Sequence, residues 1–332
     1  MDKAKIEQYV KETLASIAEK VGKNPVLLLI SGGVDSTVVA ALLLKALDPG
    51  QVHLMYMDTG LMRKDETTNV KAAPKRLGAK NVHIVNCENE FLKALKGVDD
   101  PEAKRKAIGD LFITLHERET ARLKLQDAFL AQGTIYPDVL ESGKETGKKA
   151  QVVKSHHNVG SPLVDAKRKA GLVIEPLEKL FKQDVRDLGR FLGLDDEVLR
   201  RHPFPGPGLA VRILGEVTKE KCDLLREADA IYMEELKKRK SSSGKILYDE
   251  IWQAFPVLLP LRSTGVDGNK RKYGWVLALR AITSTDAMTA GVYPFQMKDL
   301  LEISARITDK VKEIGCVTFD ITAKPPATIE WE

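Results

Sequence analysis

Apolar segments recur along the first two hundred residues with helix-like stretches between them: "VLLLI" (26–30), "VHLMYMD" (52–58), "NVHIVN" (81–86), "AFLAQGT" (128–134) and "QVVKS" (151–155). Alternating strands and helices imply a doubly wound parallel sheet of the α/β class. Residues 1–25, rich in Lys and Glu, read as an amphipathic helix ahead of the first strand. In such sheets ligands bind beyond the carboxyl ends of the strands. The residues there are "SGGVDS", "DTGLMR", "GTIYPDVLES" and "KSHHN", all polar or glycine-bearing. The pattern breaks at "RHPFPGPGLAVRILG" (201–215), where three prolines and three glycines would stop a helix. A domain boundary is expected there, with residues 1–201 forming the α/β domain and 202–332 a smaller α+β domain. The second domain reads as a strand (208–214), a helix (218–240), strands at 255–263 and 273–282, a helix at 294–312 and a last strand at 316–322.

Composition narrows the chemistry. The 332 residues suit two domains, and no apolar run reaches the eighteen or so residues that span a membrane. The first 25 residues also lack a secretory signal's apolar core, so the expected location is cytoplasmic. Cys87, Cys222 and Cys316 are too far apart for a disulfide framework or a CxxC metal pair. The net charge of +5 is spread without a dense Lys/Arg block, which suits anionic small molecules better than nucleic acid.

The turn after the first strand, Ser31, Gly32, Gly33, Val34, Asp35, Ser36 and Thr37, opens a helix. Free N–H groups and the helix dipole attract an anion at such a place. A Walker loop would add a lysine after its last glycine, and this turn has none. Asp35 would repel bare phosphate, whereas a carboxylate beside phosphate oxygens holds Mg²⁺ between them. The plainer alternative is a tight turn in which Asp35 only complements the helix dipole.

The SGGxDS pattern resembles the pyrophosphate loop of the N-type ATP pyrophosphatases, which split ATP to AMP and pyrophosphate. Further motifs, "DPEAKRKAIGDLF" (100–112), "AQGTIYPDVLES" (131–142), "KSHHNVG" (154–160), "RHPFPGPGLAVRILGEV" (201–217) and "KPPATIEWE" (324–332), together resemble the synthetase part of the GMP synthetase family. The resemblance implies an α/β pyrophosphatase domain followed by a dimerisation domain. It also implies adenylation of xanthosine monophosphate (XMP) at O2 by ATP, with Mg²⁺ as cofactor. Ammonia then displaces AMP to leave GMP.

By the same resemblance, Ser31 to Thr37 with Asp58 and Gly60 form the ATP site, and Arg105, Gln253, Arg271, Lys324, Ile329 and Glu330 the XMP site. Asp35, Lys154, His156, His157 and Lys182 are the catalytic candidates. Asp138 and Glu141 either join Asp35 as Mg²⁺ ligands or hold the lid. Residues 159–173 are expected to form a polar loop that closes as a lid. Ser161 and Asn269 depart from the family's glycine and aspartate.

No cysteine stands in a glutaminase-like elbow, so the expected ammonia source is a separate glutamine amidotransferase subunit, and a homodimer is expected. Two other readings share the glycine turn: an NAD synthetase or tRNA-modifying pyrophosphatase, and a non-catalytic nucleotide-binding regulator.

Overall fold

The computed structural model describes residues 1–141, 162–285 and 288–332. The chain begins with α1 (Lys3–Val21), β1 (Val26–Leu29), α2 (Val34–Ala46), β2 (Val52–Asp58), α3 (Glu66–Arg76), β3 (Asn81–Asn86) and α4 (Glu88–Ala94). It continues with α5 (Pro101–Arg122), β4 (Phe129–Ala131), α6 (Tyr136–Glu141), α7 (Pro162–Lys169), β5 (Val173–Ile174), α8 (Lys182–Phe191) and α9 (Asp196–Leu199). The last elements are α10 (Lys219–Lys238), α11 (Leu247–Glu250), β6 (Gln253–Asp267), β7 (Lys270–Thr283), β8 (Gly291–Val292), α12 (Met297–Lys310) and β9 (Ile314–Phe319).

Two compact units result. The first holds Met1–Asp58, Asp65–Cys87 and Gly109–Arg201, and the second Thr59–Lys64, Glu88–Ile108 and His202–Glu332. The second unit therefore takes two short stretches from within the N-terminal two-thirds of the chain as well as everything from His202 onward.

The first unit is built on a parallel sheet of order β3-β2-β1-β4-β5. β1 lies at its centre, pairing Val26 with both Val52 and Phe129. Val26, Leu27 and Leu28 are buried, as a central parallel strand covered on both faces requires. α2 is apolar nearly all round, with Val38, Val39, Leu42 and Leu43 fully buried, so it packs as an interior helix. α1 buries Ile6, Val10, Ile17 and Val21, a single stripe at helical spacing, and Asp2 caps it by accepting from the Lys5 N–H at 2.9 Å.

Two expectations change here. The expected strand at 151–155 lies outside the described residues, and the edge position beside β4 is held by β5. Within the expected lid loop, Pro162–Lys169 is helical, with Asp165 in its first turn and Lys167, Arg168 and Lys169 in its last to complement the dipole.

The second unit centres on the long antiparallel β6–β7 hairpin, with β9 parallel to β7 and β8 antiparallel to it. The expected strand at 208–214 is a correction: Gly208–Arg212 is a 3₁₀ turn, and only Ile213 makes a bridge, to Leu258. Gly208 sits at φ 64°, where an added Cβ would lie 2.3 Å from the Leu61 carbonyl oxygen. A left-handed, crowded backbone cannot start a strand. No helix among the described residues is long and apolar enough to cross a membrane.

Candidate functional site

The strand order locates a crevice in the first unit. The chain runs outward from β1 to β2 and β3, then returns to the other flank of β1 with β4. The carboxyl ends of β1 and β4 thus mark the point where ligands enter such sheets. The glycine turn follows β1, and Gln132–Gly133–Thr134 follow β4. The two stretches touch: a Cβ on Gly133 would lie 3.1 Å from the Asp35 Cβ and 3.3 Å from the Ser36 nitrogen. Glycine at 133 is what allows β4 to approach the start of α2.

The turn is held by its own hydroxyls. Ser31 Oγ accepts from the Gly33 N–H at 3.3 Å, while Ser36 Oγ and Thr37 Oγ1 donate to the Gly33 carbonyl at 3.2 and 2.8 Å. Gly33 is the N-cap and offers no side-chain cap, so α2 begins with backbone N–H groups presented to an anion. Gly32 sits at φ 73°, and a Cβ there would fall 2.5 Å from Glu66 Oε1.

That glutamate belongs to a lock the sequence did not reveal. Arg201 grips buried Glu66 with both nitrogens and donates to the Gly32 carbonyl at 2.7 Å. Glu66 and Arg201 stand 135 residues apart, so although Arg201 opens the 201–217 motif, nothing in the sequence links it to Glu66.

Asp35 lies in the first turn of α2, where Lys182 Nζ, from the start of α8, bonds both of its oxygens at 2.8 and 2.6 Å. Two of the catalytic candidates are thus brought together. Among the described residues no three His, Cys, Asp or Glu side chains cluster as a metal cage. A Mg²⁺ carried by nucleotide phosphates needs only one or two carboxylates, and Asp35 beside the anion turn fits that mode.

Asp138 Oδ2 accepts from the Ile135 N–H at 3.0 Å at the start of α6. Glu141 ends α6, and its side chain lies outside the described residues, as do Lys154, His156, His157 and Ser161. Asp58 Oδ2 accepts from Thr67 at 2.6 Å in the first unit. Gly60 belongs to the second, at φ 71°, where a Cβ would meet Glu88.

In the second unit the C-terminal segment is seated by three fully buried cations. Lys104 pairs with Glu332 and donates to the Ile213 carbonyl at 2.7 Å. Arg280 pairs with Asp320 and donates to the carbonyls of Thr328 at 2.7 Å and Ile329 at 2.8 Å. Arg212 holds the Glu330 carboxylate through Nε at 3.0 Å and Nη2 at 2.9 Å. Gln253 donates to Glu330 Oε1 at 2.8 Å, and Ile329 packs on the cluster of Phe255, Val257 and Ala278.

Lys324 forms a backbone bridge with Ala290. Arg105, ion-paired with Glu102, is near enough for its charge to act on Glu332, whose carboxyl is pushed up by burial and pulled down by Lys104. Gln253, Ile329 and Glu330 are therefore one cluster, with Arg105 beside the end of the same tail.

Arg271 is not part of it. It is exposed, beside the hairpin tip of Gly268 and Asn269, in register with Val266. Val266 lies thirteen residues along β6 from Gln253, roughly 40 Å of strand.

His202 is buried, stacked at 3.9 Å on Tyr248, with Nε2 donating to the Tyr248 carbonyl and Nδ1 accepting from Ala254. Burial lowers its pKa to about 4, which marks a structural imidazole.

Comparison with known proteins bears on both units. Residues 240–331 match the family described as GMP synthase C terminal domain, and residues 5–111 match NAD synthase. The chain is 52% identical over 326 residues to the GMP synthase [glutamine-hydrolyzing] of Bdellovibrio bacteriovorus, covering 98% of this chain and 62% of that one. It is 50% identical to the corresponding protein of Zymomonas mobilis, at 98% and 60% coverage. A solved NH3-dependent NAD synthetase from Campylobacter jejuni aligns with a TM-score of 0.44 at 18% identity, over 60% of this chain and 77% of that one. The chain spans about 60% of the length of the curated relatives it matches. Residues 240–331 are thus similar to a GMP synthase C-terminal domain and residues 5–111 to NAD synthase.

Proposed function

We propose that this chain is the synthetase part of a GMP synthase. It transfers the adenylyl group of ATP to O2 of XMP with release of pyrophosphate, then lets ammonia displace AMP to give GMP. The observation that carries the reading is the pairing of two chemistries in one chain. One unit presents an anion-receiving turn with Asp35 and Lys182 but no Walker lysine. The other presents an amide and a carboxylate, Gln253 and Glu330, suited to the N–H and C=O edge of a purine.

Each residue has a derivable task. Ser31, Gly32, Gly33 and the first N–H groups of α2 receive phosphate oxygens, and Ser36 and Thr37 brace the turn from beneath. Asp35 would hold Mg²⁺, which when bound neutralises phosphate charge. Lys182 balances Asp35 in the structure, and its charge would offset that gathering on a pyrophosphate leaving group. Asp58, Gly60, Lys324 and the residues outside the described stretches keep their roles by resemblance alone.

The position of Arg271 supports a homodimer. A residue roughly 40 Å along β6 from Gln253 cannot share one nucleotide with it, so a second copy supplies the arginine at each XMP site. The nitrogen comes from ammonia made by a glutamine amidotransferase subunit. Cys87 and Cys222 are buried, burial pushes the Cys222 thiol up to about 12, and Cys316 lies half-buried within β9 and not in a nucleophile turn. ATP and purine monophosphates are cytoplasmic pools, which sets the reaction there.

The test is direct. With ATP, Mg²⁺, XMP and ammonium the protein should form AMP, pyrophosphate and GMP in equal amounts. AMP formation that ignores XMP but responds to deamido-NAD would replace this reading with the NAD synthetase one.

A further inference from the structure

We propose that Arg212 is a positioning residue for purine recognition, aiming the last free acceptor site of Glu330 at a ring N–H of the nucleotide. The inference rests on the reading of Glu330 as an XMP contact.

The Arg212 side chain is fully buried, its guanidinium 4.8 Å from the centre of the Phe204 ring and 4.2 Å from that of Phe255. Between these rings its plane is set, and it meets the carboxylate as a fork: Nε with Oε2 at 3.0 Å and Nη2 with Oε1 at 2.9 Å. Gln253 Nε2 takes a second site on Oε1.

A carboxylate offers about four acceptor positions. Two on Oε1 and one on Oε2 are used, which leaves a single direction on Oε2 of a carboxylate 19% exposed. One N–H can be accepted there. Xanthine carries an N–H on each side of O2, the oxygen that attacks ATP, so a carboxylate fixed in plane fixes the nucleophile. Arg212 Nη1 is buried with no hydrogen-bond partner among the described residues, so the guanidinium is committed to the fork at the cost of a donor. A lysine in this place would supply charge but not the plane.

A mere staple for the tail would act on stability and on both substrates alike. An aiming role acts on XMP alone. The experiment compares Arg212→Lys with the parent chain in steady-state kinetics using ammonium. XMP KM should rise about tenfold or more, the loss of one charge-assisted bond, while ATP KM stays within about twofold.

In a Glu330→Gln background the same change should raise XMP KM less than about twofold further, since Arg212 acts through that carboxylate. Phe204→Leu loosens the guanidinium without removing charge and should raise XMP KM in the same direction; it decides the matter if Arg212→Lys does not fold. An unchanged XMP KM in either folded variant, or an equal rise in both KM values, overturns the proposal while leaving the XMP reaction standing. A parent chain with no XMP-dependent AMP overturns the functional reading, and the role of Glu330 with it.

Discussion

Replacing Lys104 by Met keeps the length of the side chain and deletes its charge. In the fold Lys104 is fully buried, and the Glu332 side chain it pairs with is 7% exposed. Removing one partner of a buried pair costs about 3–5 kcal/mol, because the other charge is left uncompensated. That is a large share of the roughly 5–15 kcal/mol that holds a domain together.

The cost depends on pH. Burial already raises the Glu332 pKa and Lys104 opposes it, so without Lys104 the carboxyl moves higher. Between its unfolded and folded values the native state then binds more protons, and stability falls as pH rises. The loss should be near 3 kcal/mol at pH 8 and smaller at pH 5.5, because protonation of Glu332 limits it as pH falls. All three tryptophans, Trp252, Trp275 and Trp331, belong to the second unit, so their fluorescence in urea reports that unit. XMP KM should rise with the loss, since the tail is less well seated. A destabilisation below about 1 kcal/mol at both pH values, or one larger at pH 5.5, refutes the reasoning.

Gly133→Ala should push the start of α2 by a few tenths of an ångström and lower ATP turnover by up to about tenfold with little loss of melting temperature; unchanged kinetics would place the crevice elsewhere. His116 and His202 are buried and held neutral, each with its pKa lowered to about 4. The unfolded chain takes up their protons near pH 6.5, so stability should fall from pH 7 to pH 5 by roughly 2 kcal/mol per histidine, and His116→Asn should flatten that slope. A rise in stability over that window would have the wrong sign. Asp35→Asn should abolish pyrophosphate release while XMP still binds, as equilibrium dialysis with labelled XMP would show. Mixing inactive Gln253→Ala and Arg271→Ala chains should restore about a quarter of the parent activity through one intact site per mixed dimer; no recovery argues against sharing of Arg271.

Which features could be read from the sequence follows from how local their causes are. β1 and β2 show as apolar runs because interior parallel strands are covered on both faces, the edge strand β3 shows by its apolar Val82, Ile84 and Val85, and the Ser31–Thr37 turn shows because its glycines, hydroxyls and carboxylate are contiguous. β5 has two residues, too few to give a pattern. Residues 208–214 mimic a strand because Leu209, Ala210, Val211 and Ile213 are all buried, and an apolar run this short does not separate strand from turn.

Lys104, Arg212 and Arg280 were illegible for another reason. A lone cation in a sequence reads as solvated, and what buries these three is a tail whose partner residues stand 228, 118 and 40 positions away. The motif singles out Arg105 and not the adjacent Lys104, which seats the tail. The separation of Arg271 from Gln253 likewise appears only once β6 is seen to continue, through a bulge between Leu258 and Arg262, from Gln253 to Asp267.

The central claim is that XMP oxygen attacks the α-phosphate of ATP. XMP labelled with ¹⁸O at O2, turned over with ATP, Mg²⁺ and ammonium, should deliver its label to the phosphate of AMP, one atom per GMP formed. Unlabelled AMP, with the label in water or in pyrophosphate, would contradict the account.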